Sequence, residues 1–116
     1  MDPSILNLAM ALDRVGGDRE LLQEVAQLFL ETSPELLEQI RQAAAERDAK
    51  TLERAAHTLK GSVGNFAADS VFQAALRLEK LGRAGDFSSV DQALAELEAE
   101  MRRLAPALTE FSGHSR

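Results

Sequence analysis

The stretch AHTLKGSVGNF, residues 56–66, has the apolar spacing of a helix, yet it carries two glycines in what would be the helix interior. An α-helix turns by about 100° per residue. With Leu52 set at zero on a helical wheel, one group of apolar residues falls within about 40° of it. This group is Ala56, Leu59, Val63 and Phe66. The spacing predicts an amphipathic helix from Asp48 through about residue 65, with this group facing a core.

His57 and the two glycines lie away from that core face. On the same wheel His57 is near 140°, Gly61 near 180° and Gly64 near 120°. A glycine in a helix interior costs about 1 kcal/mol relative to alanine. Here the glycines remove side chains from around the imidazole, so that another macromolecule can approach His57 closely. The alternative is that His57 is an ordinary surface histidine and Gly64 a helix C-cap.

The remaining apolar pattern predicts helices on both sides of this stretch. They cover residues 4–13, 18–47, 68–84 and 88–111. Ser4 and Asp18 are candidate N-caps of the first two. The pair Ser33-Pro34 leaves open whether 18–47 is one kinked helix or two helices. Pro106 is expected to kink or fray the last helix.

The composition and the short connections favour a helical bundle. The chain has 116 residues, enough for one domain, and 45% of them are apolar. Good helix formers dominate and β-branched residues are few. We predict an all-α fold, an antiparallel up-down four-helix bundle with a short extra N-terminal helix. We expect one domain over residues 1–116, with the bundle at about 18–111 and a polar tail at 112–116.

Charge and composition also exclude several classes of function. The chain has no cysteine, which excludes disulfides and thiolate metal sites. No apolar run approaches the roughly 18 residues of a membrane span, and no signal peptide is visible. The net charge of -6, with dispersed basic residues, argues against nucleic-acid binding. We expect a cytoplasmic monomer that makes no contact with membranes.

Glu79 falls within the apolar stripe of the 68–84 helix. A carboxylate that faces a core is costly unless it has a partner. If this helix is antiparallel to the preceding one, His57 or Lys60 is the candidate partner. We hypothesise that Glu79 accepts a hydrogen bond from His57 Nδ1–H, which fixes the tautomer and leaves Nε2 free as a nucleophile. The alternative is that Glu79 reaches solvent at the edge of the bundle.

The stretch HTLKGSVGNF resembles the signature of histidine phosphotransfer (HPt) domains, in which His is followed by two residues, Lys and Gly. The resemblance extends over about residues 8–105 and includes the acidic-apolar lead-in at 18–56 and the Leu-Glu pair at 78–79. It implies a four-helix bundle with an exposed phosphoacceptor histidine. Many members of the family have glycine where this chain has Ala67, which puts the geometry of that turn in doubt.

Carried over residue by residue, the resemblance implies a role for each residue around the histidine. His57 would be the phosphoacceptor, and Lys60 would offset the charge of the phosphoryl group. Gly61 would open the surface to the partner, with Gly64 beside it. Glu79 occupies the position from which a polar residue orients the imidazole.

The resemblance also implies which molecules the domain meets. The partners would be a histidine kinase and the receiver domain of a response regulator. The receiver would bring the reacting aspartate and Mg²⁺. The sequence has no Gly-rich nucleotide loop and no carboxylate cluster for a metal. We therefore expect a phosphocarrier without a cofactor or an enzymatic activity of its own, either free-standing or part of a hybrid sensor kinase.

Two other functions have weaker support in the sequence. One is a helical interaction module that binds a partner through an apolar groove and makes no use of His57. It predicts an exposed apolar stripe. The other is a metal-binding bundle. The chain has only two histidines, His57 and His114, and no Glu-x-x-His pair, which argues against this function.

Overall fold

The computed structural model describes residues 5–113, and within that range it contains five helices and no strand. The helices are α1 (Leu8–Arg14), α2 (Arg19–Glu46), α3 (Ala49–Gly64), α4 (Asp69–Ala84) and α5 (Val90–Gly113). Helices α2 to α5 form a ring in which each packs against two neighbours, and α5 returns to α2. Helix α1 packs on α2. The predicted all-α bundle with an extra N-terminal helix is confirmed.

Helix α2 is one continuous helix of 28 residues, which settles the question that Ser33-Pro34 left open. Asp18 caps its first turn, as predicted. Pro34 lies inside the helix and is exposed, so its ring projects away from the bundle. The buried side chains of Phe29 and Ile40 anchor the segments before and after the proline in the same core. This packing compensates for the backbone hydrogen bond that proline cannot donate.

The first helix begins later than the sequence suggested. Asn7, not Ser4, is its N-cap, and the Asn7 side chain accepts a hydrogen bond from the backbone N–H of Met10 at 3.1 Å. Ser4 lies outside the described residues. An asparagine N-cap satisfies a free N–H of the first turn as well as a serine does. With Asn7 as the N-cap, the first helical residue is Leu8.

The last helix extends further than predicted, and the predicted tail at 112–116 is wrong in its first two residues. Helix α5 runs through Pro106 to Gly113. Phe111 and Ser112 are both buried, so the end of the helix packs against the bundle. The Ser112 hydroxyl also donates to the carbonyl of Thr109 at 3.4 Å. The rest of the predicted tail, with His114, lies outside the described residues.

The short turn between α3 and α4 brings these two helices together as the most extensive helix pair of the bundle. Phe66 in this turn is fully buried and makes an edge-to-face contact with Phe29, with ring centroids 5.5 Å apart. The next residue, Ala67, has a φ of 51°, in the left-handed region that favours glycine. Ala67 therefore adopts a left-handed conformation at a cost in backbone strain.

None of the helices in the described part of the chain is long and apolar enough to cross a membrane.

Candidate functional site

His57 projects from the solvent side of α3. Its side chain is 65% exposed, whereas Leu52, Ala56 and Leu59 on the opposite side of the helix are buried. This is the arrangement that the helical wheel predicts. The ring nitrogen Nδ1 is 3.0 Å from Oε2 of Glu79 on α4, which is a hydrogen bond when Nδ1 carries the proton. The imidazole is thus held on one side and open on the other.

Glu79 is a buried carboxylate with three cationic or hydrogen-bonding neighbours. Its side chain is only 4% exposed, so the alternative in which it reaches solvent at the bundle edge is wrong. Besides His57, Lys60 Nζ lies 2.8 Å from Oε1, and Arg83 donates from Nη2 to Oε2 at 2.8 Å. Lys60 and Glu79 form an ion pair, but the angles at this contact are not those of a hydrogen bond. The sequence offered His57 or Lys60 as the partner, and the structure brings both to one carboxylate.

Burial and these neighbours act in opposite directions on the pKa of Glu79. Burial by itself raises the pKa, because it removes the charged form from water. The Lys60 ammonium and the His57 imidazole lower it, and together they outweigh burial, so the pKa lies below its ordinary value. Glu79 is therefore ionised at neutral pH and faces Nδ1 as an acceptor only.

Arg83 belongs to the same cluster, although the sequence did not lead us to predict it as a partner of Glu79. Its Nε donates to Glu53 of α3 at 2.9 Å while its Nη2 donates to Glu79. It follows Glu79 by one helical turn, a spacing at which side chains on a helix surface are neighbours, and this could have identified it. The pair with Glu53 joins two solvent-exposed side chains and contributes little to stability, whereas the pair with Glu79 compensates part of the charge of a buried carboxylate. The two ion pairs restrict where the Glu79 carboxylate can point.

Lys60 is half-buried beside the histidine. Its ammonium is held between the Glu79 carboxylate and the ring of Phe72, whose centroid is 5.9 Å from Nζ. Lys60 and His57 thus contact the two oxygens of the same carboxylate. This arrangement places a fixed positive charge next to the imidazole.

The two glycines have different surroundings. A Cβ at Gly61 would meet nothing within 4 Å, and the residue is exposed on the histidine side of α3. A Cβ at Gly64 would also meet no atom within that distance. Gly64 is half-buried, however, and its carbonyl accepts a hydrogen bond from Arg14 of α1. Gly61 therefore leaves open surface next to the imidazole, while Gly64 borders α1.

An open depression of about 440 Å³ adjoins the imidazole on its other flank. Its lining consists of Lys50, Glu53, Arg54, His57, Glu79 and Arg83. Both acidic side chains in it, Glu53 and Glu79, are paired with Arg83, and Lys50 and Arg54 add two further positive charges. Among residues 5–113 no group of three or more acidic or histidine side chains could hold a metal ion. The depression suits an anionic group more than a cation.

A few apolar side chains are exposed on the first two helices. Met10 of α1 is 50% exposed, and Leu21 and Leu28 of α2 are 43% and 60% exposed. Leu21 and Leu28 are two turns apart and share one face of α2. These exposed side chains are the feature of α2 that an interaction module would use.

Residues 24–107 match the family model described as the Hpt domain. The match covers most of the chain and includes His57, Lys60 and Glu79, so the chain belongs to the Hpt domain family. Membership supports a phosphotransfer function in two-component signalling, as a phosphocarrier module that interacts with histidine kinases and response regulators. The resemblance that the motif around His57 indicated is confirmed.

Two solved structures share the fold. One is the HPT domain from a sensor hybrid histidine kinase of Shewanella, with a TM-score of 0.86, 19% identity and 97% of each chain covered. The other is histidine-containing phosphotransfer protein B from Pseudomonas aeruginosa PAO1, with a TM-score of 0.79 and 21% identity, covering 100% of this chain and 96% of that one. At these identities the likeness concerns the fold. No curated protein matches the chain.

Proposed function

We propose that His57 carries a phosphoryl group in a phosphorelay, accepting it from an aspartyl phosphate of a receiver domain and exchanging it with such an aspartate. The observation that supports this most strongly is the pairing of an exposed imidazole with a buried, ionised carboxylate. Nδ1 of His57 is 3.0 Å from Glu79 Oε2, so the carboxylate favours the tautomer that carries the proton on Nδ1. The lone pair then lies on Nε2.

The transfer itself is an in-line displacement at phosphorus. Nε2 of His57 attacks, the new P–N bond forms, and the P–O bond to the receiver aspartate breaks, which returns that aspartate as a carboxylate. The ring keeps its proton on Nδ1 and becomes an imidazolium as the bond forms. The negative charge of Glu79 stabilises that cation, and the reverse transfer follows the same steps backwards.

Lys60 provides the positive charge on the phosphoryl side. Its ammonium is fixed on Glu79 Oε1, next to the imidazole, and offsets part of the charge that the phosphoryl group adds. Lys50 and Arg54, in the neighbouring depression, add to the positive potential around His57. The receiver domain brings the aspartate and the Mg²⁺ that such a transfer needs.

Gly61 provides room for the receiver. A side chain at this position would extend from the same side of α3 as the imidazole and would meet the incoming domain before Nε2 reached the phosphorus. Gly64 extends the bare surface towards α1. We place the domain in the cytoplasm as a monomer, where receivers and kinases meet it.

A second candidate function is a helical interaction module without covalent chemistry. The exposed side chains of Leu21 and Leu28 on one face of α2 favour it. The two candidates differ in what they require of His57. Binding through the α2 face would be indifferent to the imidazole, whereas a phosphocarrier has no function without it.

Transfer from a panel of receiver domains separates these functions. Each receiver is labelled on its aspartate, mixed with the wild-type protein or with His57→Gln, and binding is measured in parallel. A phosphocarrier takes up acid-labile label from at least one receiver, and His57→Gln takes up none although it still binds. Binding of receivers without label transfer to the wild-type protein would support the interaction module instead.

A further inference from the structure

Gly82 is a buried glycine in the last turn of α4, where its carbonyl accepts the capping hydrogen bond from the N–H of Gly85. The left-handed residue that ends the helix is Gly85, so the C-cap does not require a glycine at position 82, and a glycine within a helix is less favourable than alanine. Gly82 continues the buried stripe of α4 that contains Ala75 and Leu78. The side of α4 that carries it is packed against α3.

The reason for a glycine at position 82 is the approach of the two helices. A Cβ at Gly82 would lie 2.7 Å from the backbone nitrogen of Glu53, 3.0 Å from its Cα and 3.1 Å from the carbonyl oxygen of Ala49. All three atoms belong to the backbone of α3, so no rotation of a side chain can make room. Even the smallest side chain at this position would push α4 away from α3.

This contact is one turn from the contact between Glu79 and His57. Gly82 follows Glu79 by three residues on α4, and Glu53 precedes His57 by four residues on α3. On helices with a rise of about 1.5 Å per residue, the two contacts are roughly 4.5 to 6 Å apart along the pair. A helix is stiff over one turn, so a displacement at Gly82 reaches Glu79.

We propose that Gly82 is a positioning residue for phosphotransfer: its missing side chain lets α4 approach α3 closely enough for the Glu79 carboxylate to hold His57 Nδ1. The inference rests on the proposed function of His57 and adds what sets the distance between the two side chains. Arg83, the next residue, ties the same two helices together through Glu53. The glycine determines how near the helices come, and the arginine fixes the carboxylate once they are there.

The test substitutes Gly82→Ala and follows two quantities in the folded protein. The first is the fraction of neutral His57 that carries its proton on Nδ1, measured from the ¹⁵N shifts of the ring nitrogens. The second is the rate of phosphoryl uptake from a labelled receiver. We expect the Nδ1–H fraction to fall and the rate to decrease by about tenfold to a hundredfold, as expected for a displacement of up to about 1 Å at a reacting group.

Two control variants separate positioning from stability. Gly113→Ala makes the same chemical change at an open position of α5, and Leu104→Ala removes core volume from α5. Both should keep the wild-type tautomer and the wild-type rate. If the destabilised Leu104→Ala protein changes its tautomer as Gly82→Ala does, the effect is one of stability and the inference is overturned.

Folding of the Gly82→Ala protein is checked by circular dichroism, and the change is repeated with Ala67→Gly, which should relieve strain. A folded Gly82→Ala protein with the wild-type tautomer would overturn the inference. Failure to fold with and without Ala67→Gly would overturn it as well, because the glycine would then serve the fold alone. A wild-type protein that takes up no label refutes the proposed function instead, and the tautomer measurement still decides the role of Gly82.

Discussion

Glu79 and His57 lie on different helices, yet Oε2 of Glu79 is 3.0 Å from Nδ1 of His57. The carboxylate is buried and the imidazole is largely exposed. One side chain is therefore fixed by the bundle, while the other is presented to solvent in an orientation that the first determines. Burying a charge costs desolvation energy unless charged or hydrogen-bonding partners offset it. Here the ion pairs of Glu79 with Lys60 and Arg83 offset that energy, together with the hydrogen bond to His57.

The charge of Glu79 should matter for the rate of transfer. Glu79→Gln keeps an oxygen that can accept the Nδ1–H hydrogen bond but removes the negative charge that stabilises the imidazolium. We expect phosphoryl uptake by the Gln variant to be about tenfold slower, comparable with the loss of a partner that orients a metal-binding histidine. Rapid-quench labelling with a phosphorylated receiver measures it. An unchanged rate would show that the carboxylate has no electrostatic part in the transfer.

The stability of the bundle should fall in acid because of the same residue. The pKa of Glu79 is below its ordinary value of 4.5, so the folded state binds this proton less readily than the unfolded chain does. The stabilisation is present above about pH 4.5 and is lost as the pH falls through the lower pKa of the folded state.

The comparison is between denaturant unfolding of the wild-type protein and of Glu79→Gln from pH 7 to pH 3. Asp48 and Asp86 also have lowered pKa values, from hydrogen bonds with Thr51 and Ser88 respectively, and they contribute to the fall in both proteins. The wild-type protein should therefore lose more free energy of unfolding than the Gln variant. Parallel curves for the two proteins would argue against an ionised Glu79.

Glycine at position 67 should stabilise the protein. Ala67 has a left-handed backbone with a φ of 51°, which costs an alanine roughly 1 kcal/mol relative to a residue without Cβ. Ala67→Gly should raise the free energy of unfolding by about that amount, measured from the denaturant midpoint at unchanged slope. Gly85→Ala is the matched reverse change, because Gly85 has a φ of 65°. If Ala67→Gly lowers stability, the turn is held by contacts of the alanine methyl group.

Two substitutions at Gly61 should separate stability from docking. A Cβ at this position meets nothing within 4 Å, so Gly61→Ala should stabilise the helix by up to about 1 kcal/mol. Gly61→Glu should fold equally well but add a bulky negative charge beside His57, and we expect its phosphoryl uptake to be at least about tenfold slower than that of the alanine variant. Equal rates for the two variants would remove the argument that a receiver approaches over this glycine.

Much of this architecture follows from the spacing of apolar residues. The core face of α3 and the exposure of His57 follow from the wheel alone, because Leu52, Ala56 and Leu59 recur at helical intervals. The need of Glu79 for a partner follows from its place in an apolar stripe. The helical wheel cannot show how many partners Glu79 has, because that number depends on how α3 and α4 pack together.

Other features depend on packing that no local pattern contains. A proline inside a helix costs about 3 kcal/mol, and only the buried side chains on both sides of Pro34 decide whether α2 continues. Asn7 and Ser4 are equally good caps by type, so the start of α1 depends on where Leu8 meets the bundle. Gly82 carries a readable signal, since it continues the stripe of Ala75 and Leu78 with no side chain, but the distance that it permits is visible only in three dimensions.

Mapping of the phosphoryl group on the protein is the most direct measurement of the proposed chemistry. The wild-type protein and His57→Gln are incubated with a phosphorylated receiver, and the modified residue is located by mass spectrometry under neutral conditions. Because the Gln variant keeps the helix and the surface, its circular dichroism should match that of the wild-type protein. We expect one phosphoryl group, on His57, in the wild-type protein and none in His57→Gln. A variant that is labelled to the wild-type level would show that His57 is not the phosphoacceptor.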